Sequence, residues 1–397
     1  MAAHGDHYRM RKIQSIIAIL VSVMALSQSP SIVRSEPLGM GSNDHRMLKM
    51  DQARYDQWRS RWEQYIINSA RNRYCDKETG EEIGWLVTPF LAGFYYGYLA
   101  TGDTKWVEML LDWADSWIKR AVTEPDGYRG WPKSGAAGTS VDNLDHFYAD
   151  SLLGEAMALR PIVLMSNEIL RTPALKEKYG AKAVTYIELS EEVFKKWDGR
   201  GAWRHTDSGG IITVVGPFGI DGKTGTWTDG YEKRNAPGIG FSHPANKANL
   251  VASWLLAMFD ATRKPEYKER AEKWFRLMKS RTRPTSSGTY QVWNYWQPAG
   301  AWDYKASGIP KHWIGIHPNP AYYDIDVEAI VMAYAHGVVF TKDDISRLVA
   351  TSLAEKRYWT ALVPYDFMSQ RRFEDDHKPD SWAGLAATPW YLALQGR

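Results

Sequence analysis

From Asp51 onward the chain is built from pairs of helical segments, and the two members of each pair differ in kind. Trp85 to Ala100 is almost wholly apolar, with small residues interleaved. After the turn Thr101-Gly102-Asp103, the next segment puts Val107, Leu110, Leu111, Ala114, Trp117 and Ile118 on one face at helical spacing. The pattern returns at Ala248 to Phe259. A turn at Arg263-Lys264-Pro265 follows, and then one stripe of Tyr267, Ala271, Trp274, Phe275 and Met278. Two further pairs join Asp150–Leu170 to Val184–Trp197, and Val327–Val339 to Ile345–Leu353. A helix that is apolar all round must be buried on every side, whereas one with a single apolar stripe can face water. Hairpins of that composition pack as two concentric rings, so the expected fold is all-α, an (α/α) toroid or barrel in one domain. The Asp51–Asn72 helix and the Trp382–Leu394 segment are available to close the ring. An α-solenoid is the alternative, but solenoid repeats are more even in length than these.

Residues 1–34 stand apart from that pattern. Arg9, Arg11 and Lys12 precede the apolar run Ile13 to Leu26, and Ala25-Leu26-Ser27 offers small residues for cleavage. This is the order of a secretory signal, and the run is short for a membrane span, so export is expected, with residues 35–397 forming the barrel. Cleavage at Ala25-Leu26-Ser27 removes Arg9, Arg11, Lys12 and Asp6, leaves a short mature leader up to residue 34, and takes the net charge from +3 to +1, which gives no electrostatic case for nucleic acid. Cys75 is the only cysteine, so an intramolecular disulfide and a cysteine-cluster metal site are both excluded.

The long connectors between hairpins are where a cleft would be built. The stretch Thr289 to Asp326 carries far more Trp, Tyr and His than a connector needs. The chain as a whole has 19 Trp and 22 Tyr against 11 Phe, a bias towards rings with a hydrogen-bonding tip. Sugars present flat C–H faces that stack on such rings, and hydroxyls that want polar partners. Trp293, Trp296 and Trp302 are therefore candidate stacking platforms, with His312 and His317 as polar partners. An aromatic-rich core loop is the competing reading for any one of them. A second segment, SVDNLDHFYAD, puts Asn143, His146 and Asp150 on one face if it is helical. A third, FSHPANKAN, reads as a helix start with Ser242 as N-cap and Pro244 in the first turn, which brings His243 and Asn246 together at a helix mouth. The Gly-rich loop before it delivers Lys233 and Arg234, either as ligands for carboxylates or as solvated charges.

These residue types suit β-elimination on a uronic-acid polymer. The reaction needs a group that neutralises the C6 carboxylate, so that the adjacent C5–H becomes acidic, a base to take that proton, and an acid for the departing oxygen. Asn and His donors can do the first, His or Tyr the second, and Tyr the third. No metal or other cofactor is required in that version.

The helical-hairpin pattern, together with DNLDHFYAD, FSHPANKAN and WNYWQPAGAWDY to HWIGIHPN, resembles the helical-toroid polysaccharide lyases. It looks closest to polysaccharide lyase family 38, whose members act on alginate or glucuronan. The resemblance spans roughly Asp51 to the C-terminus. It implies an (α/α) barrel, internal attack on a uronate polymer, and an Asn/His/Tyr site; the chain is expected to act on its anionic polysaccharide as a monomer. Carried onto this chain, neutralisation falls to Asn143 or Asn246 with His146, and His243 is a base. The acid, or base and acid both, is Tyr304 first and Tyr295 second. The competing classes are a toroid glycoside hydrolase using a pair among Asp142, Asp145, Asp150, Asp303, Asp324 and Asp326, and a glycan-binding protein without catalysis.

Overall fold

Helix α1 (Gln52–Ala70) leads into a 3₁₀ turn at Tyr74–Asp76 and a π turn at Ile83–Val87, which runs directly into α2 (Thr88–Thr101). The structure is a computed structural model that describes residues 52–132, 147–221, 223–229, 240–291, 293–316, 326, 329–330 and 332–355. Every residue of α2 from Thr88 to Gly97 is buried, as its uniformly apolar sequence requires, and Pro89 sits in the first turn where its missing N–H costs nothing. Gly102 ends the helix in the left-handed region at φ 70°, its N–H donating to the Tyr98 carbonyl at 2.7 Å. Helix α3 (Lys105–Lys119) then buries Trp106, Val107, Leu110, Leu111, Trp113, Ala114 and Trp117 on one face.

The next two hairpins repeat this division. Helix α4 (Leu152–Arg171) is buried almost throughout, and α5 (Pro173–Gly199) buries one side through residues such as Tyr186, Leu189, Val193 and Trp197. Helix α6 (Ala245–Thr262) is again enclosed, and α7 (Pro265–Arg281) covers it with Tyr267, Ala271, Trp274, Phe275 and Met278. The enclosed helices α2, α4 and α6 touch in succession, and α3, α5 and α7 each pack on their own partner. The fold is all-α, with an inner and an outer layer of hairpin members. Helix α5 begins earlier than the apolar spacing indicates, because Pro173 starts a polar, largely exposed turn that periodicity does not register. Of the fourth pair, the second member is α8 (Lys342–Glu355), and residues 332–335 of the first are helical. Trp382–Leu394 and the leader, residues 1–34, lie outside the described residues. Among the described residues no helix is long and apolar enough to cross a membrane.

Short antiparallel strands occupy the connectors: β1 (Val122–Thr123) with β2 (Arg129–Gly130), and β4 (Trp203–Thr206) with β5 (Gly209–Ile212). In a third sheet β3 (Phe147–Tyr148), β6 (Phe218–Asp221) and β7 (Trp227–Asp229) lie side by side. The last pair is β8 (Arg283–Pro284) with β9 (Tyr290–Gln291). The third sheet corrects one expectation. Phe147 and Tyr148 pair with Asp221 and Ile220, so the chain leading to Asp150 is extended and no helical face joins Asp150 to Asn143 and His146. The cross-strand ladder supplies the backbone partners that a helix would otherwise have given.

The N-terminal ends of the three inner helices lie together. Lys247, in the first turn of α6, bonds Glu81 at the start of the α2 region at 2.8 Å. Gly154, in the first turn of α4, faces the Gly80 carbonyl so closely that a β carbon there would lie 2.1 Å from the oxygen. Gly to Ala inside a helix ordinarily stabilises by about 1 kcal/mol. Here we expect Gly154→Ala to destabilise by about 1–3 kcal/mol, because backbone must move. Urea unfolding checks this, and an increase in the midpoint would show that the Gly80 turn yields freely.

Candidate active site

At the mouth of α6 the sequence FSHPAN is held in place from both sides. Pro244, not Ser242, occupies the N-cap position, with φ −54° and ψ 154°. Ser242 instead binds the neighbouring connector. Its N–H and hydroxyl both donate to the Asp303 carboxylate, at 2.7 and 2.8 Å, and Asp303 also takes the Ala299 N–H at 2.7 Å. The His243 N–H donates to the Ile212 carbonyl of β5 at 2.8 Å, and the Ala245 N–H to the Tyr295 carbonyl at 3.0 Å. Strand β5, the 299–303 turn and the Tyr295 segment thus fix the backbone on which His243 and Asn246 ride. Arg281, at the end of α7, steadies the aromatic connector by donating to the Gln297 carbonyl at 3.1 Å.

His243 is 6% exposed and Asn246 not at all. The His243 Nδ1 and both polar atoms of the Asn246 amide have no hydrogen-bond partner among the described residues. Burial of the imidazole, with the Lys247 ammonium adding to it, pushes its pKa from 6.5 down to about 3, so the ring is neutral near pH 7. Leaving a buried amide unsatisfied costs about 1–3 kcal/mol, which a protein tolerates where a ligand is to be met. His243 shares a small cavity with Asp150, Ser151, Leu152, Trp197, Val214 and Val215, with room for about one water molecule.

Asp150 belongs to a buried ionic cluster that leaves no trace in the local sequence pattern. The Lys196 ammonium, on α5, donates to Asp150 at 2.5 Å, to Glu155 at 2.6 Å and to the Arg129 carbonyl at 2.8 Å. Arg200 bonds Glu124 at 2.9 Å and lies 3.8 Å from Asp150. The Trp131 N–H and the Trp197 indole complete the shell on Asp150 and Glu155. Burial, and then the Asp150 charge, push the carboxyls of Glu124 and Glu155 well above the usual range. Burial also disfavours an ionised Asp150, but Lys196 and its hydrogen bonds outweigh that and hold it below its ordinary value.

The aromatic connector divides into core and rim. Trp293 and Trp296 are core: 5% and 1% exposed, they donate their indole N–H groups to Asp326 at 2.7 Å and to the Ser242 carbonyl at 2.8 Å. Neither offers a ring face to a sugar, which corrects the expectation for both. Trp302 is half-buried, bonded to the Ser242 hydroxyl at 3.1 Å, with the Arg204 guanidinium 5.0 Å over its ring. His312 and Tyr295 are half-buried with ring centroids 6.1 Å apart, and His312 packs against Trp296 and Phe241 as well. Tyr304 is 42% exposed on the rim. It follows Asp303 in the chain, but no hydrogen bond or ring contact joins it to His243 or Asn246. Asn143, His146, Lys233, Arg234 and His317 lie outside the described residues, as do Asp142, Asp145 and Asp324.

Among the described residues no group of three or more His, Cys, Asp or Glu is arranged to hold a metal ion. Asp326 is wholly buried, its carboxyl accepting from Asn249 and Trp293. Burial outweighs those bonds and raises its pKa to about 7.

No family model matches the chain, nor does any curated protein sequence. Among solved structures, that of a D-mannose isomerase is similar at a TM-score of 0.41 and 13% identity, over 87% of this chain and 98% of that one.

Proposed function

We propose that the protein is a polysaccharide lyase that cleaves a uronic-acid-containing glycan, of alginate or glucuronan type, by β-elimination. The observation that carries this reading is at the mouth of α6, where a neutral imidazole and, three residues on, a buried amide both keep hydrogen-bonding atoms unspent among the described residues. The inner helices turn their N-terminal ends towards that place, and partial positive charge at helix N-termini favours an anion there. The acidic side chains nearby are already engaged, Glu81 by Lys247, Asp150 by Lys196 and Asp303 by Ser242, so they offer a sugar carboxylate less repulsion than free carboxylates would.

In this reading the Asn246 amide donates to the C6 carboxylate and holds the charge that builds on it as C5–H is broken. His243 takes the C5 proton. Its depressed pKa makes it a weak base in the empty site, but the arriving carboxylate brings a negative charge close to the ring and raises its proton affinity. Tyr304 on the rim returns a proton to the departing glycosidic oxygen, with Tyr295 as the second choice. Export and action as a monomer without a cofactor belong to the same proposal. A toroid hydrolase is the second reading, and Asp326 favours it: a buried carboxyl with a pKa of about 7 keeps a proton that a general acid could give.

Absorbance in the unsaturated-uronate band tests the choice. The purified chain is incubated with alginate, glucuronan, pectate, hyaluronan and a heparinoid in turn. A rise with one polymer is expected, and it names the substrate. New reducing ends without a rise would reject elimination and make Asp326→Asn the variant to examine.

A further inference from the structure

The residues after Asp303 form a small closed flap. Tyr304 bridges Pro310, the Lys305 N–H donates to the Ile309 carbonyl at 2.8 Å, and the Lys311 N–H donates to the Asp303 carbonyl at 2.8 Å. Gly308 makes the tip turn at φ 78°. Beyond the flap the chain sends successive aromatic rings in opposite directions. His312 packs inward on Phe241, Trp296 and Tyr295, whereas Trp313 is 51% exposed, more open than its neighbours Trp293 and Trp296 in the same connector. Its ring rests against Gly315, where a β carbon would lie 2.4 Å from Cζ2. The Gly315 carbonyl accepts the Tyr295 N–H at 2.9 Å, and the Tyr295 carbonyl accepts the Ala245 N–H at 3.0 Å. A backed and exposed indole is thereby tied, through two backbone hydrogen bonds, to the segment that carries His243 and Asn246. Lys305 and Lys311 stand exposed nearby in the chain, without a carboxylate partner among the described residues.

We propose that Trp313 is the floor of an outer subsite that stacks a pyranose ring of an acidic glycan chain, with Lys305 and Lys311 meeting its carboxylates. This rests on the polysaccharide reading of the site and extends it to a residue away from the bond that breaks. A large, rigid indole presents an apolar face at low entropic cost, and the exposed lysines of the flap supply charge complementarity to a polyuronate.

Native electrophoresis through gels containing alginate, glucuronan or a neutral glucan reads binding without requiring turnover. The expected result is retardation of the wild-type protein by one of the acidic polymers, a loss of about tenfold in affinity for Trp313→Ala, and near-wild-type retention for Trp313→Phe. Gly315→Ala keeps the indole in the chain but displaces its ring, and should weaken binding in the same direction. In polymer kinetics Trp313→Ala should raise KM and leave kcat in place. Equal retardation of wild type and Trp313→Ala would overturn the subsite and leave the lyase reading standing. Wild-type protein that no acidic polymer retards would overturn the subsite too, and if ultraviolet absorbance also failed to rise, the lyase reading would fall with it.

Discussion

Replacing Asn246 by Leu is expected to lower turnover by about 10²–10³-fold while making the protein more stable. The two effects share one cause. An amide that is fully buried with neither atom bonded is a standing cost of about 1–3 kcal/mol, and an apolar side chain of similar size removes it. The same substitution removes the donor assigned to the sugar carboxylate, and loss of one such donor ordinarily costs that much in kcat. His243→Ala, which deletes the base, should cost about 10²–10⁴-fold at unchanged helical content. The measurements are kcat/KM from the ultraviolet assay together with urea unfolding of the same preparations. A destabilised Asn246→Leu protein would mean that the amide has a structural partner after all. Full activity in both variants would remove the pair from the mechanism.

The second large effect concerns the ionic cluster. Lys196→Met should destabilise by about 3–5 kcal/mol, because the ammonium between Asp150 and Glu155 is wholly buried and its removal leaves the buried Asp150 carboxylate only the Arg200 guanidinium, 3.8 Å away, as counter-charge. The pH dependence has a definite sign. Glu124 and Glu155 have folded pKa values above their unfolded ones, so between the two the native state binds more protons than the unfolded state. Stability therefore falls as pH rises from the ordinary carboxylate range towards the raised values. Asp326, raised to about 7, acts in the same direction over its own interval. In Lys196→Met the deficit should shrink towards about pH 4–5, where protonated acids need no cation, and grow towards about pH 8. Glu155→Gln added to that variant should restore part of the loss. Denaturant midpoints across pH decide it: a deficit independent of pH would indicate lost packing of the lysine stem rather than an unbalanced charge.

The hairpins were legible because burial along a helix leaves a local trace. The contrast between the all-apolar stretch around Phe90 and Leu91 and the single stripe of Trp106 to Trp117 is visible at spacings of three and four residues. The helix start at FSHPAN was legible for the same reason, and it places His243 just before Pro244 and Asn246 just after it. The misread positions are those whose partners are far along the chain. Ser242 resembles an N-cap until Asp303 takes both its N–H and its hydroxyl. Asn143, His146 and Asp150 have helical spacing, yet the segment before Asp150 pairs with a strand some seventy residues later. Trp293, Trp296 and Trp313 are indistinguishable as letters. Two of them are core because Asp326 and the Ser242 carbonyl accept their N–H groups, and the third lies open against Gly315.

The sequence by itself determined that this chain forms layered helical hairpins, because apolar periodicity is a property of neighbours in the chain and water enforces it segment by segment. Only the tertiary structure decided which polar groups are satisfied, and that decision marks the candidate site. Lys196 finds Asp150 and Glu155 more than forty residues away, whereas the Asn246 amide and the His243 Nδ1, also buried, find no partner among the described residues. Whether a buried polar atom is paired depends on what distant elements bring within about 3 Å of it, a distance that no local pattern encodes.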